Sequence, residues 1–468
     1  MKIAFVHYHL KTGGVTTVIK QQIQAVKTAC QVLTITGEAP VSPFPGPVAC
    51  IPDMGYERPV AGSIEPEKTA DAVLAAIRKQ WPQGCDLLHV HNPLLAKNKH
   101  FLDILKILQQ KDVKLLLQIH DFAEDGRPWV YFKDAYPANC HYAVINSRDY
   151  RMLLQAGLKI QGVHLLFNNI KPLPHGACDH APSHSILYPI RAIRRKNIGE
   201  AILLSKFLKG DETLGITLPP HSPADMQSYS AWKRFVADNR LKVAFELGQQ
   251  HDFAELVGSA RSLITTSINE GFGFSFLEPW TAHKMLWGRH LPDICHDFER
   301  NGVDLGHLYT QLEIPFNWID RDQFYSQWRT AIADTCALFD HRFESRQIEK
   351  AWAQITYNDT IDFGLLHEGF QQAVIKRVMT HKHAMGALIE GNPFLGEPGH
   401  VHHETDLVSK NNAAVLAHYT GKGYRDRLLA TYQHVTSTPV RQRIDKSILV
   451  DRFLNLNKFS LLKWKPYA

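Results

Sequence analysis

Lys2-Ile-Ala-Phe-Val-His-Tyr-His9 runs almost directly into Lys11-Thr-Gly-Gly14, and beyond the glycines Val15, Val18, Ile19, Ile23 and Val26 recur at helical spacing. A strand, a glycine turn and a helix are predicted. Further apolar runs at Asp86–His91, Val113–His120, Tyr142–Asn146 and His164–Phe167 alternate with helical patterns such as Phe101–Gln110 and Ser147–Ala156. Alternation of this kind predicts a parallel sheet covered by helices.

The pattern restarts after the Pro- and His-rich stretch Lys171–His184, which is the expected linker, with strand candidates at Ser185–Tyr188, Leu214–Leu218, Leu241–Leu247 and Ser262–Thr266. Past about residue 345 the strands are expected to stop and polar helical patterns to dominate, broken by the turn-rich Glu390–Gly399. The expected division is 1–175, 185–345 and a helical extension over 346–468 that partly crosses back to the N-terminal domain. No solenoid-like repeat is visible.

The 468 residues, 44% hydrophobic, suffice for more than one core. The opening apolar run is too brief for a signal peptide, and no apolar stretch is long enough to span a bilayer, so a soluble cytoplasmic protein is expected. Cysteines at 30, 50, 85, 140, 178, 295 and 336 are scattered, which implies neither a disulfide framework nor a zinc knuckle. A net charge of +6, with 52 basic and 46 acidic residues and no dense basic block, argues against nucleic acid and is compatible with phosphorylated substrates or an anionic membrane surface.

The candidate chemistry sits in Glu270-Gly-Phe-Gly-Phe-Ser-Phe-Leu-Glu278, two carboxylates eight residues apart around a glycine-rich turn. If a helix begins near Phe274, the amides of Gly271, Phe272, Gly273 and Phe274 form a positive terminus suited to hydroxyls and phosphate. A carboxylate accepts paired hydrogen bonds from vicinal hydroxyls, so one Glu could hold a hexose and the other a ribose. Upstream, ILYPIRAIRRKN follows a strand and precedes an apolar helix pattern over Ile198–Phe207. Ligands of open α/β sheets bind at the carboxyl ends of strands, which places Arg191 and Lys196 to neutralise a departing diphosphate, with Arg194 and Arg195 as alternatives.

On these motifs the chain resembles the retaining, nucleotide-sugar-dependent glycosyltransferases of the GT-B fold, in the family 4 group. The resemblance covers about residues 1–350 and rests on Gly13-Gly14, the strand ending in His120-Asp121, Arg191-x4-Lys196, the segment FELGQQHDFAELVGSARSLITTS and Glu270-x7-Glu278. It implies two Rossmann-like domains facing a central cleft, and transfer of a hexose from a nucleotide diphosphate sugar to a sugar, polyol or lipid-linked hydroxyl acceptor. It further implies that Arg191 and Lys196 bind the diphosphate, that Glu278 holds the ribose, and that Glu270 and the following amides hold the hexose. Gly13 and Gly14 would let backbone approach the phosphates, His120 would contact the transferred sugar, and Phe245–Gly248 would pack the nucleotide base. No cofactor or metal is expected, because the cations replace it. A GT-B phosphorylase and a catalytically silent glycan-binding subunit are the rival readings.

The sequence departs from the family pattern after Glu278, with Pro279, His283-Lys-Met285-Leu286 and then WGRHLPDICHDF, which leaves Trp287, Arg289 and Asp293 as unassigned cleft candidates. His89 and His91 of LLHVHNP are expected on opposite faces of a strand, in a structural role. Gly399-His-Val-His-His-Glu404 is read as chance clustering among 26 histidines and not as a metal site. In the tail, Ile448, Leu449, Phe453, Leu456 and Phe459 approach helical spacing beside several lysines. Packing within the fold is preferred there to a membrane-surface helix.

Overall fold

The computed structural model describes residues 1–57, 64–173, 186–396 and 404–467, and each statement of absence below refers to these. Most of the expected linker, the cluster at His400–His403 and residues 397–399 of the turn-rich segment lie outside them. The chain forms two compact units, one of Met1–Asn169 with Tyr419–Leu454, the other of Ile170–His418 with Asn455–Ala468.

In the first unit seven parallel strands run in the order β3-β2-β1-β4-β5-β6-β7. Their ranges are β1 Lys2–His7, β2 Gln31–Thr36, β3 Val48–Cys50, β4 Leu87–His91, β5 Leu115–Ile119, β6 His141–Val144 and β7 Val163–Leu165. The central strands β4 and β5 are buried along their whole length, as strands covered on both faces should be, and carry His89, His91 and Gln118 into the interior among their apolar residues. Helix Gly14–Val26 buries Val18, Ile19, Ile23 and Val26, the positions its periodicity marks. Helix Phe101–Gln110 matches its predicted bounds, whereas β2 and β3 had not been anticipated.

The second unit carries five parallel strands in the order β10-β9-β8-β11-β12: β8 Ile186–Arg191, β9 Leu214–Leu218, β10 Val243–Ala244, β11 Ser262–Thr265 and β12 Met285–Gly288. Two corrections arise here. The run Leu241–Leu247 contributes only a two-residue strand, because Glu246 turns left-handed at φ 64 and ends it. Strand formation also continues past residue 345, since β13 (Glu313–Pro315) pairs antiparallel with β14 (Thr360–Asp362).

The C-terminal stripe is buried at Leu449, Phe453, Leu456 and Phe459 and half-buried at Ile448. Leu449 and Phe453 belong to the first unit, where the Phe453 ring lies 4.9 Å from Phe122. Phe459 and Trp464 stack at 5.5 Å inside the second, so the stripe divides at Leu454 instead of lying wholly on the N-terminal domain. No helix is long and apolar enough to cross a membrane.

Candidate active site

In the second unit the expected groups gather at the carboxyl end of the sheet. Strand β8 ends at Arg191, a single turn covers Arg194–Lys196, and Asn197 in the left-handed region (φ 50) redirects the chain into helix Ile198–Leu204. The Lys196 carbonyl is fixed by the hydroxyls of Tyr188 (2.7 Å) and Thr266 (3.1 Å), which hold the turn against the end of β11. The Lys196 ammonium donates to Glu270 Oε1, and both side chains are largely withdrawn from solvent, 15% and 8% exposed. Burial works against the Glu270 charge, but Lys196 and then Arg195 outweigh it and hold the carboxyl below its ordinary range. The pair is therefore ionic.

The four basic residues separate into distinct roles. Arg191 donates to the Pro219 carbonyl at 2.9 Å, with no carboxylate in contact. Arg194 is committed to the scaffold: it forms a bidentate pair with Glu368 at 2.6 and 2.9 Å and donates to the Lys465 carbonyl, which removes it as a candidate. Arg195 keeps a buried Nε with no hydrogen-bond partner among the described residues and remains a candidate beside Lys196.

The loop after β11 brings Glu270 to Lys196 and then turns at Gly273, φ 93, where a Cβ would lie 2.9 Å from Phe276 Cδ2 and 3.0 Å from Ile294 Cγ2. A glycine is required there. Phe272 is buried, its ring 5.7 Å from Phe298, and anchors the loop, while Phe274 is half-buried. The expected helix start near Phe274 is a single turn, Phe274–Phe276, followed by the one-turn helix Glu278–Thr281 with Pro279 in its tolerated first-turn place. Segments this short have little macrodipole, so the two carboxylates and the cations carry most of the local electrostatics. Burial pushes the Glu278 carboxyl up to about 7, with Lys196 acting in the opposite direction.

Three unassigned candidates resolve as scaffold. Arg289 is buried in bidentate contact with Glu200 (2.9 and 2.6 Å) and Asp362 (2.8 and 2.7 Å), Trp287 lies inside β12, and Asp293 pairs at the surface with Lys458 at 2.6 Å. At Phe245–Gly248, Phe245 meets Tyr229 edge-on at 5.5 Å and Glu246 pairs with Lys233 at 3.0 Å. Among the described residues no group of three or more His, Cys, Asp or Glu is arranged to hold a metal ion.

Gly13, Gly14 and His120 lie in the first unit. Gly13 is extended at φ 173, a conformation open to any residue, and a Cβ on either glycine would meet nothing within 4 Å, so the protein leaves the space above them open. His120 follows β5; its backbone amide and that of Asp121 both donate to Asn92 Oδ1, at 2.8 and 3.0 Å. Its Nε2 meets His91 Nδ1 at 2.9 Å. The opposite-face expectation for His89 and His91 is corrected: residues two apart on a strand share a face, and these rings lie 4.4 Å apart. Sequence reading passed over Asn92 and the role of His91 beside His120. Asn92, in the left-handed region at φ 53 directly after a predicted strand, carried the signal of an Asn-Pro turn.

No family model matches the chain. Mannosylglucosyl-3-phosphoglycerate synthase from Petrotoga mobilis is 26% identical over 340 residues, 63% of this chain and 65% of that protein, so the match spans less than two thirds of the relative's length. Among solved structures, sucrose-phosphate synthase from Thermosynechococcus elongatus aligns with a TM-score of 0.53 at 12% identity over 92% of this chain and 98% of that one. Anabaena HepE in complex with UDP-glucose aligns at 0.55 and 12% identity over 92% and 99%. TarM aligns at 0.53 and 10% identity over 93% and 99%. At such identities the likeness is one of fold, and the chain has the GT-B fold, with a seven-stranded and a five-stranded parallel sheet.

Proposed function

We propose that the protein is a retaining glycosyltransferase that moves a hexose from a nucleotide diphosphate sugar to a hydroxyl acceptor. The observation that carries this reading is the buried Lys196–Glu270 ion pair at the carboxyl edge of the five-stranded sheet, with Arg195 and Glu278 interacting with it and Arg191 at the end of β8. A diphosphate needs cations where charge develops as the glycosidic C–O bond breaks, and Arg191 and Lys196 supply them. Sugar hydroxyls need acceptors, which Glu270 supplies for the hexose and Glu278 for the ribose. Gly13-Gly14 and His120 are assigned to the phosphates and the transferred sugar.

In the retaining step the acceptor oxygen bonds to the anomeric carbon on the face the diphosphate leaves. The acceptor's hydroxyl proton passes to the departing phosphate oxygen, so no carboxylate nucleophile is needed. Positive charge comes from side chains, and no metal is required. HepE is seen in complex with UDP-glucose, and the Petrotoga relative is named as a mannosylglucosyl-3-phosphoglycerate synthase. UDP-hexoses with a phosphoglycerate-bearing acceptor are therefore the first combination to try. Incubation with a panel of nucleotide sugars, scoring donor hydrolysis and transfer, tests the reading, and NMR of the first product's anomeric configuration tests retention. Absence of both nucleotide binding and donor turnover across the panel contradicts it.

A further inference from the structure

The first unit holds a buried row of imidazoles, His7 on β1, His89 and His91 on β4 and His120 just after β5, of which the proposed chemistry uses His120 alone. His91 is fully buried, and its ring lies 5.2 Å from that of His120, nearly coplanar at 15°. The two share one hydrogen bond, Nδ1 of His91 to Nε2 of His120, at 2.9 Å. Nε2 of His91 is buried with no hydrogen-bond partner among the described residues. Their neighbours are tied elsewhere: His7 donates from Nδ1 to the His91 carbonyl at 3.2 Å, and His89 meets Gln118 Oε1 and the Tyr432 hydroxyl, each at 2.9 Å.

Two neutral imidazoles in this arrangement hold one proton between them. If it sat on His120, His91 would carry its own proton on Nε2, a buried donor facing no acceptor. If it sits on His91 Nδ1, Nε2 of His91 is only an unused lone pair, the milder defect. Burial lowers His91 far below the usual imidazole range and His120 to about 4, so neither ring carries a second proton near neutral pH.

We infer that His91 is a positioning residue that fixes the tautomer of His120: it donates from Nδ1 to Nε2 of His120 and leaves His120 with its own proton on Nδ1, as a hydrogen-bond donor to ligand oxygen and not as a base. This deepens the transferase reading and rests on it only for the activity arm of the test. The direct test is a long-range nitrogen–proton NMR correlation on histidine-labelled wild-type protein at pH 7, with the His120 signals assigned by their loss in His120→Gln. The expected pattern is a protonated Nδ1 and an unprotonated Nε2; a protonated Nε2 on His120 overturns the inference. In His91→Leu the His120 signals should move toward a tautomer mixture and donor turnover should fall about tenfold. His91→Asn, whose amide can donate from near the Nδ1 position, should retain both. An unchanged His120 tautomer in His91→Leu also overturns the inference, and because the wild-type spectrum needs neither variant nor substrate, failure of the transferase reading stays distinguishable from failure of this one.

Discussion

Two buried clusters, one in each unit, withdraw titratable groups from water in opposite ways. Around Lys196 and Glu270 burial is tolerated with charge retained, because each ion meets its opposite and Arg195 adds to the field on Glu270. Around His91 and His120 the same burial drives the groups neutral, because the histidines face one another with Asp121 as the only raising influence on His120. Burial alone therefore does not set a site's charge; the sign of the neighbours does. An ionic cradle suits a departing diphosphate, and a neutral donor suits a sugar oxygen.

The largest expected effect falls on the ionic cradle. Arg191→Ala and Lys196→Ala should each lower transferase turnover by about tenfold to a thousandfold, measured with any competent donor, since each removes a charge that the proposed function assigns to the leaving group. Wild-type turnover in both would place the diphosphate elsewhere. Their stabilities should differ. Removing Lys196 strands a buried carboxylate and should cost about 3 kcal/mol in denaturant unfolding, moderated by Arg195, and Lys196→Met combined with Glu270→Gln should recover much of it. Arg191, which contacts only a carbonyl, should cost under about 1 kcal/mol when changed to Ala. Equal losses would mean that the ion pair is not the buried, compensated one described here.

Much of the fold was legible because the central strands are predominantly apolar runs and the helices between them keep their period, as in β4, β5 and Phe101–Gln110. What escaped was set by distant partners. The run MLWG, read as part of a family departure, is β12 because it pairs with β11. Arg289 looked like a cleft cation because its partners Glu200 and Asp362 lie 89 and 73 residues away in the chain. Lys196 and Glu270, 74 residues apart, were linked only through the family resemblance. Arg194 and Arg195 are neighbours of the same type, and only the position of Glu368 tells the scaffold residue from the available one.

Smaller effects sharpen the contrast. Gly273→Ala should destabilise by about 1–3 kcal/mol, through the left-handed backbone and the crowding against Phe276, and should lower donor affinity along with it; a neutral result would mean that the loop can relax. Glu278, whose folded carboxyl stands at about 7 against an ordinary 4.5, binds more protons folded than unfolded between those values. Its contribution to stability is present below about 4.5 and is lost as pH rises through 7. Glu278→Gln should remove that fall, while His120→Gln, which removes a group lowered by burial from 6.5 to about 4 and hence a rise in stability over an overlapping range, should make the fall steeper. Chelation with EDTA should leave turnover unaltered, and a loss restored by a divalent cation would show that the side-chain cations are insufficient.

The central claim is that the edge of the five-stranded sheet binds a nucleotide diphosphate through its cations and Glu278. Calorimetric titration of UDP, GDP, ADP, CDP and TDP into wild type, Arg191→Ala, Glu270→Ala and Glu278→Ala tests it most directly. The account predicts that at least one nucleotide binds wild type, that Arg191→Ala and Glu278→Ala weaken it by about tenfold or more, and that Glu270→Ala leaves free nucleotide affinity nearly intact while abolishing sugar transfer. Equal affinity across all four proteins, or no binding by any nucleotide, would contradict it.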